Sequence, residues 1–585
     1  MTDDQTRPME TPVPGGEPAP DAGFDAAPAA PVAPAPAAKG GNGLRWAIAL
    51  GVAAIAVAIA IGAVALLGAP SSPEALRYIP GDAAMVAELR MDLPGDQMQN
   101  LGTLLAHFPG FQDQASLPLK IDEAMSRLFQ MSGEGTDYVT DIKPYLSGPT
   151  FAALRTLDGA QSGNLSGGLL VATTNGSVAC ATAFEGQTLT HETYRELDIS
   201  KGPNGDVACA VDGRFFLVGE LASVKLGLDA HAAGTGIDKS AKYAAARTKL
   251  GLDRLATFYI EGKALLDAVS AAQPNNPALG LGTAFPEWMA AGVRAEADAL
   301  VFDAVVAPAP SATLGPDMLS FPPAHPIALA QLAPADTLFF MELHGAGISF
   351  HNAFSQLKSM PELAEPLAAL DQVGGLDGLI GWIEDIGVIV TPDGDLASGA
   401  VLLVAKDAAD ATKKATAVTA VLQLGGLGGD VDVDVATVEG VEVTTVHIPD
   451  ATALLGQVTG IPGSGVTPTP IPLDFSIAAK DRIIYFGVGQ GIMPKILGVK
   501  AGASLVDSAA YTHAIARGLA DAQQVMYVAA GAGIDLLEKA IPAAELTKWT
   551  NDVKPYVDPL EAIIWTVTGD GTQGSVRMAL TVAKP

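Results

Sequence analysis

The sequence predicts an α+β protein with one N-terminal transmembrane helix followed by two homologous domains, each a mostly antiparallel sheet with helices packed on one face. Three observations lead to this fold class. An uncharged apolar run occupies residues 46–67. Two internal sequence matches, each at a constant offset, relate the first half of the remaining chain to the second half. Within each half, strand pairs joined by short turns outnumber strand–helix–strand units, which favours hairpins and antiparallel pairing.

The chain begins with a Pro/Ala-rich tail at residues 1–43, which contains PVPGGEPAPDAG and PAAPVAPAPAAKGG. Such a composition cannot bury enough apolar surface to offset the entropy of ordering the chain. We therefore expect a disordered tail.

The apolar run reads WAIALGVAAIAVAIAIGAVALL and is assigned, with its flanks, to a transmembrane helix at 44–68. A hydrocarbon core of about 30 Å requires roughly 20 helical residues, and a helix satisfies its own backbone hydrogen bonds. The alternative is a cleaved signal peptide, because Ala63, Val64 and Ala65 resemble a cleavage triplet. The run is longer than a signal core and the preceding tail is longer than a signal n-region, so an uncleaved anchor is favoured.

Charge next to this segment predicts its orientation. Lys39 and Arg45 precede it, whereas Arg77 on the other side is accompanied by Glu74 and Asp82. Positive residues are retained on the cytoplasmic side of a membrane. We therefore expect a cytoplasmic N-terminus and an extracytoplasmic C-terminal portion.

The overall composition excludes one class of partner. The net charge is −30 and no Lys/Arg cluster stands out, so a phosphate backbone would be repelled and nucleic-acid binding is not expected. Hydrophobic residues make up 49% of the chain and aromatic residues 6%. The predicted cores are therefore large but built from small side chains.

The internal repeat rests on two matches. In the first, YIPGDAAMVAELRMD resembles QLAPADTLFFMELHG, and in the second VACAVDGRFFLVGELASVKLGLDA aligns with FSIAAKDRIIYFGVGQGIMPKILG. The shared positions are Pro80/Pro334, Asp82/Asp336, Glu88/Glu342, Leu89/Leu343, Arg214/Arg482, Gly219/Gly487, Gly234/Gly502, Ser240/Ser508, Tyr243/Tyr511, Asp253/Asp521, Tyr259/Tyr527 and Asp267/Asp535. Self-similarity over so long a period indicates two domains rather than a solenoid.

The domain boundaries follow from the matches and from composition. We assign the first repeat domain to 74–306, a linker rich in Pro and turn formers to 307–326, and the second repeat domain to 327–585. An amphipathic helix is expected at Ala408–Leu424. The corresponding part of the first domain, SVACATAF, is much shorter.

These features resemble a family of bacterial envelope proteins known only as a domain of unknown function. The resemblance is carried by the opening Pro-x-Asp strand, the near-terminal apolar span, and the strand–Gly–helix block with Ser-Ala-x-Tyr at Ser240 and Ser508. It covers most of the chain beyond the anchor. It implies a single-span, extracytoplasmic α+β protein with a duplicated domain, and it transfers no catalytic residue.

The chain has two cysteines, Cys180 and Cys209, which are too few for a four-ligand zinc site and do not form a C-x-x-C pair. In an oxidising compartment they could form a disulfide. Ile477 occupies the Cys209 position in the second repeat, so the fold does not require the bridge. Two buried thiols remain the alternative.

Three short motifs resemble metal or nucleotide sites, and none meets its pattern. His191-Glu192 opens H-E-x-x-H, but Arg195 stands where the second histidine would be, and the segment TLTHETYRELDI is typical of a strand.

The glycine-rich turn at Gly487, Gly489 and Gly491 does not have the G-x-G-x-x-G spacing of a nucleotide site. Its counterpart in the first repeat, Gly219, is followed by Glu220, so a tight turn is favoured. Asp430, Asp432 and Asp434 lack the glycine and the final acid of a calcium loop, so alternation with valines favours a charged edge strand, with weak calcium binding as the alternative.

Residues present in both repeats were also considered as sites. The carboxylates Asp267 and Asp535 and the tyrosine pairs Tyr243/Tyr511 and Tyr259/Tyr527 recur at equivalent positions. An active site is seldom required twice in one chain, so these residues are interpreted as structural. The sequence therefore assigns no catalytic, cofactor-binding or metal residue.

The resulting hypothesis is a membrane-anchored, extracytoplasmic, non-catalytic binding or structural module of the cell envelope, attached through residues 46–67. The expected partner is an envelope protein or a lipid. The alternative is a carrier or chaperone for an apolar ligand such as a lipid, and an unrecognised hydrolase comes third. A large cavity between sheet and helices would favour the carrier, whereas a filled core with an apolar surface patch would favour the module.

Overall fold

The computed structural model describes residues 73–583 apart from internal gaps. The longer gaps are 127–138, 157–166, 273–285, 309–327, 352–379 and 450–471; shorter gaps lie within 91–94, 114–125, 141–142, 175–187, 349–350, 427–431 and 570–572 or are single residues. All described residues belong to one compact unit that spans 56–585. The predicted tail at 1–43 and the predicted membrane segment at 44–68 lie outside the described residues.

The described residues of the first half contain ten strands. They are β1 (Met85–Leu89), β2 (Leu146–Leu154), β3 (Gly168–Thr174), β4 (Thr190–Tyr194), β5 (Leu197–Lys201), β6 (Val207–Asp212), β7 (Phe215–Glu220), β8 (Ala256–Glu261), β9 (Pro286–Glu296) and β10 (Ala299–Pro308).

The described residues of the second half contain ten more. They are β11 (Phe339–His344), β12 (Asp385–Asp393), β13 (Leu396–Val404), β14 (Asp432–Val438), β15 (Val441–Ile448), β16 (Leu473–Lys480), β17 (Ile483–Val488), β18 (Gln524–Val528), β19 (Leu560–Gly569) and β20 (Gly574–Val582).

Ten α-helices connect these strands within the described residues. They are α1 (Gln97–Leu105), α2 (Leu221–Ala233), α3 (Ala241–Leu250), α4 (Gly262–Ala272), α5 (Ala408–Gly426), α6 (Ile492–Leu497), α7 (Ala509–Ile515), α8 (Ala530–Lys539), α9 (Ala543–Asp552) and α10 (Lys554–Val557).

All twenty strands form one antiparallel sheet. Across the first half the strand order is β4-β5-β6-β7-β3-β2-β1-β8-β9-β10. Across the second half it is β14-β15-β16-β17-β13-β12-β11-β18-β19-β20. The two halves are joined because β10 pairs with β20, so that both sets of ten strands share one hydrogen-bond ladder.

The predicted fold class is therefore wrong. The sequence predicts an α+β protein with one transmembrane helix followed by two domains that each have their own sheet, whereas the strands of the described chain form one continuous antiparallel sheet. Two separate sheets would leave a row of unpaired N–H and C=O groups along both β10 and β20, and their pairing satisfies both rows. In the part of the chain that the structure describes, no helix combines the length and apolarity needed to cross a membrane.

The helix-bearing face of the sheet is filled in both halves. In the first half, α2 and α3 pack on strand residues such as Val86 and Tyr259. In the second half, α6 and α7 pack on the equivalent Phe340 and Tyr527. The side chains that project from this face make up the two main cores.

Strand registers repeat between the halves. Val86 of β1 lies opposite Tyr259 of β8, and Phe340 of β11 lies opposite Tyr527 of β18. In the hairpin that precedes helix α2 or α6, Asp212 pairs with Phe215 and Lys480 pairs with Ile483. The isolated bridges Pro80–Gly236 and Pro334–Ser504 are equivalent as well. The two sequence matches therefore fall on equivalent elements with the same strand pairing.

The seam between the halves, defined as the β10–β20 pairing, has approximate twofold symmetry. The sequence match equates Ala256 with Gln524. In the first half, Ala256 pairs with Val293, which pairs with Phe302. In the second half, Gln524 pairs with Val567, which pairs with Val576. Asp303 is therefore the internal equivalent of Arg577, and these two residues lie directly opposite each other in the ladder. A pseudo-twofold axis passes between them.

The predicted domain boundaries stay a prediction. The first residues of the predicted linker 307–326, Ala307 and Pro308, continue strand β10, and the rest of the linker lies outside the described residues.

Candidate functional site

The second face of the sheet, called here the open face, carries the side chains that alternate with the core residues. Described residues pack on it in each half. Helix α5 places Ala411 and Ala415 against Ile477 and Ile484 of strands β16 and β17. In the first half the same location is occupied by Cys180.

Cys180 and Cys209 form a disulfide, with their Cα atoms 5.7 Å apart. The pair packs against Val211, Phe216 and Val218 on the open face. Cys209 is the equivalent of Ile477, which lies beneath helix α5 in the second half. The bridge therefore lies at the place where the second half has helix α5, and it decides between the two alternatives that the sequence left open.

Between helix α5 and the disulfide lies a groove of about 640 Å³, called here the open-face groove. The strand registers arrange its lining side chains in two rows that cross the sheet. The first row is Leu170, Ala152, Ala87, Phe258, Ala291, Ala304 and Val576; the second is Thr150, Leu89, Ala256, Val293, Phe302, Met578 and Trp565.

The groove presents almost no hydrogen-bonding groups. Thr150 is the one polar residue in the two rows. Three other polar residues border the groove, but their side chains are engaged on the helix-bearing face: Thr257 donates to Glu88 at 3.1 Å, and Asp303 accepts from Arg577 at 2.6 Å. The lining strands pair with neighbours on both sides, so their backbone groups are used in the ladder.

Small residues at two positions open the groove. Ala291 is the internal equivalent of Trp565, and Ala304 is the internal equivalent of Met578, by the same registers that relate Asp303 to Arg577. Phe258 is 38% exposed and Trp565 is 40% exposed, so two large apolar rings face solvent here. Such a surface binds by burying apolar area, at about 25 cal/mol per Å².

A charged cluster lies behind the groove, on the helix-bearing face of the seam. Asp303 is buried and contacts three guanidinium groups, from Arg254, from Arg294 at 2.9 Å and from Arg577 at 2.6 Å. Burial raises the pKa of the Asp303 carboxyl, but the hydrogen bond from Arg577 and the charges of the arginines outweigh burial and hold this pKa below its usual range. The cluster links the segment before β8, which carries Arg254, to strands β9, β10 and β20, and this indicates a structural role.

The network extends from the seam into the second half. His513 of helix α7 contacts Asp298 at 2.9 Å and also bonds Glu561, while Arg517 bonds Asp298 as well. Burial raises the pKa of Asp298, but hydrogen bonds from His513 and Arg517 outweigh it and keep that pKa low. These residues connect the β9–β10 turn of one half to a helix of the other.

The near-miss to a zinc motif lies on a strand, as the sequence predicts. His191 and Glu192 belong to β4. The His191 ring contacts Asp198 at 2.9 Å, and Glu192 pairs with Lys201 at 3.3 Å and with Lys225. Hydrogen bonds from the two lysines lower the pKa of Glu192. The histidine that the motif would use for metal and the glutamate that it would use as general base are thus engaged in surface ion pairs.

The glycine-rich turn after β17 has no room or charge for a phosphate. A Cβ atom on Gly489 would lie 2.3 Å from Oγ of Ser398, and one on Gly491 would lie 3.5 Å from Oδ1 of Asp393. Gly489 also has a φ of 108°, which favours glycine. The glycines therefore allow a close approach of the turn to strand β13, beside a carboxylate that would repel an anion.

Of the aspartates considered for calcium, Asp430 lies outside the described residues. Asp432 and Asp434 lie on β14, which has β15 as its described neighbour and forms one edge of the sheet. His447, opposite Asp432, hydrogen-bonds Asp474 at 2.9 Å. Across the described ranges, no group of three or more His, Cys, Asp or Glu side chains is arranged to hold a metal.

The repeated tyrosines lie in the cores. Tyr243 contacts Tyr259 edge to face at 5.2 Å and 86°, and Tyr511 contacts Tyr527 at 5.2 Å and 78°. Burial raises the pKa of Tyr527 to about 12. Asp267, by contrast, is on exposed helix surface and pairs with Lys263.

Sequence reasoning missed the groove, although a signal was present. Adjacent residues such as Phe258 and Tyr259 on β8 are both apolar, and Ala290 and Ala291 on β9 follow the same pattern. A strand that is apolar on both faces is covered on both sides or exposes an apolar surface. The sequence does not indicate which strands become neighbours, so the groove could not be assembled from it.

Comparison with known proteins gives one family. The family described as "Protein of unknown function (DUF3352)" matches residues 46–582. No curated protein matches the chain.

Among solved structures, crystal forms I, III and IV of TP0453 are similar to part of the chain. Their TM-scores are 0.22, 0.20 and 0.21 and their identities 8%, 9% and 10%. The alignments cover 41%, 41% and 40% of this chain and 81%, 80% and 79% of those chains. Likeness at this level carries no argument about fold or function.

Proposed function

Because the chain belongs to the DUF3352 family of proteins of unknown function, we propose its function from its own geometry: it is a non-catalytic binding module of the cell envelope. The open-face groove is its binding surface. One observation carries this proposal, namely that two rows of apolar side chains, including the exposed rings of Phe258 and Trp565, face solvent across the middle of the sheet.

The arrangement of the core supports a module over a carrier with an enclosed cavity. The helix-bearing face is occupied by residues such as Leu217, Phe340 and Tyr527, which are at most 1% exposed. The apolar space lies on the other face, where it is open to solvent. A partner can therefore reach the groove without separating the sheet from its helices.

The proposed location is the outer face of a membrane, with the apolar segment 46–67 as the attachment. The disulfide between Cys180 and Cys209 supports this placement, because disulfides persist in oxidising compartments. The bias of Lys39 and Arg45 toward the amino side of the segment supports the same orientation.

In samples from the host that are denatured in detergent, Cys180 and Cys209, which are buried in the folded chain, are expected to react with a maleimide-polyethylene-glycol reagent after reduction and to be protected before it. A variant that lacks residues 46–67 serves as the control, since it should stay in the cytoplasm and react without reductant. Reaction of the full chain without reductant would reverse the proposed orientation.

With a sequence separation of 29, loss of the bridge in Cys180→Ser should lower the free energy of unfolding by about 3–4 kcal/mol.

The binding surface is tested by photo-crosslinking in intact cells. A benzoylphenylalanine at Phe258, inside the groove, is expected to give a discrete adduct. The same group at Leu396, which is 73% exposed on the other half of the sheet, provides the matched control. Equal adducts at both positions, or none at Phe258, would contradict the groove as the binding surface.

A further inference from the structure

We propose that the occupant of the open-face groove is a single hydrocarbon chain of a lipid, with its polar end in solvent. This inference rests on the proposed function and names the ligand class of the same site. It follows from the chemistry of the lining, the volume of the groove, and the residues at its two ends.

The chemistry of the lining disfavours an extended peptide. A peptide buried in the groove would bring N–H and C=O groups that require partners, and each unpaired group costs free energy. The lining strands use their own backbone groups within the sheet, and Thr150 is the one polar residue of the two rows. A hydrocarbon chain has no polar groups to satisfy.

The volume disfavours a helix. An α-helix with its side chains is about 10 Å wide, so 640 Å³ would hold about 8 Å of it, or roughly one and a half turns. If a methylene group occupies about as much space as a water molecule, roughly 30 Å³, the same volume holds about 20 methylenes. The groove therefore matches one long chain rather than two.

The groove is elongated, with the disulfide near one end and Trp565 near the other. Its first row runs from Leu170 on β3 to Val576 on β20, six inter-strand steps that span roughly 29 Å at about 4.8 Å each. Beyond Leu170 lies Val218, which packs against the disulfide of Cys180 and Cys209. Trp565 stands at the other end. A chain lying across the strands would contact the Trp565 ring.

The internal duplication supplies variants that should fill the groove without disturbing the fold. At the position of Ala304 the second half has Met578, in the same strand environment. Ala304→Met is therefore compatible with this kind of site, and Ala291→Leu adds a side chain smaller than the Trp565 at its equivalent position. Val401→Met is the control, because Val401 is 37% exposed on the other half of the sheet and does not line the groove.

The test is a titration of the full chain in lipid nanodiscs with the glycerol monoester of 9,10-dibromostearic acid, whose bromines quench tryptophan on contact. We expect a saturable component of quenching that is absent in Trp565→Phe, so that subtracting the signal of this variant isolates Trp565 from the other tryptophans, including Trp46 of the membrane segment. Ala291→Leu with Ala304→Met should raise the half-saturation concentration at least tenfold, and Val401→Met should leave it unchanged. Unbrominated monostearoylglycerol should relieve the quenching, whereas glycerol should not.

Quenching that is not saturable, or that is the same in the filled variant, would overturn the proposal. If the double variant melts at a lower temperature than the wild type, Ala304→Met alone is used. A protein adduct at Phe258 in cells, together with no quenching by the brominated chain, would sink the lipid inference and leave the binding module standing. A lipid adduct in place of a protein adduct at Phe258, together with saturable quenching, would support both proposals, whereas no adduct together with no quenching would sink both.

Discussion

Asp303→Ala is expected to lower the free energy of unfolding by about 3–5 kcal/mol, because it leaves the buried Arg254 guanidinium and those of Arg294 and Arg577 without their shared carboxylate. Asp303 is 6% exposed, and Arg577 is its direct neighbour across the seam at 2.6 Å. In a symmetric pair of identical halves, the residue on the axis would face its own copy and like charges would meet. Duplication within one chain allows an acid on one strand and a base on the other.

The measurement is urea or thermal unfolding of the purified chain, followed by circular dichroism. Arg214→Ala is the matched control, because Arg214 pairs with Glu74 at 2.6 Å and both side chains are more than 40% exposed. An exposed pair of this kind contributes about 0–1 kcal/mol. Equal losses for the two variants would mean that the seam cluster does not hold the halves together.

Acid should weaken the same seam. The folded-state pKa of Asp303 is below its usual range, so its contribution is fully present above the unfolded value of about 3.9 and is lost as the pH falls through the folded value. Asp303→Asn should lack this component of the acid-induced loss. An unchanged acid profile in that variant would contradict the assignment.

Tyr259→Ala and Tyr527→Ala are each expected to cost about 3–5 kcal/mol, as for other large aromatic truncations in a core. Tyr259 is 4% exposed and Tyr527 is 1% exposed, and each packs edge to face on a tyrosine of the neighbouring helix. Because one sheet runs through both halves, either variant should lower a single cooperative transition. Two separate transitions, each sensitive to one variant, would indicate that the halves unfold independently.

Tyr243→Phe provides the control for this pair. The Tyr243 hydroxyl is buried and, within the described part of the chain, makes no hydrogen bond of normal geometry; its interaction with the Arg247 guanidinium is weak. Removing it should be neutral or slightly stabilising, because no bond is lost and a desolvated polar group disappears. A loss comparable to that of the alanine variants would show that the hydroxyl, rather than ring packing, stabilises the core.

Local features of this chain could be predicted with little error. The helix expected at Ala408–Leu424 is observed as Ala408–Gly426, and the segment around His191 is a strand. The repeated tyrosines lie in the cores, and the Asp212-Gly213 turn joins β6 to β7. Each of these depends on turn chemistry, periodicity or side-chain size within a short stretch.

Part of the candidate site was also accessible from sequence. The equivalence of Cys209 and Ile477 followed from the second match, and the shortness of SVACATAF relative to helix α5 was visible in the same alignment. Whether Cys180 reaches Cys209 depends on where the intervening strands place it, which the sequence left open. The structure brings the two together on the open face.

By itself the sequence determined the internal duplication, the acidic character, and the identity of the turns and core aromatics, because these depend on residues close together in the chain or on direct comparison of its two halves. Only the tertiary structure decided that the two sets of strands form one sheet and that an apolar groove crosses it. The pairing of β10 with β20 joins residues such as Asp303 and Arg577 that are 274 positions apart. Register between such distant strands is set by edge pairing and by side-chain packing on both faces, which no local pattern encodes.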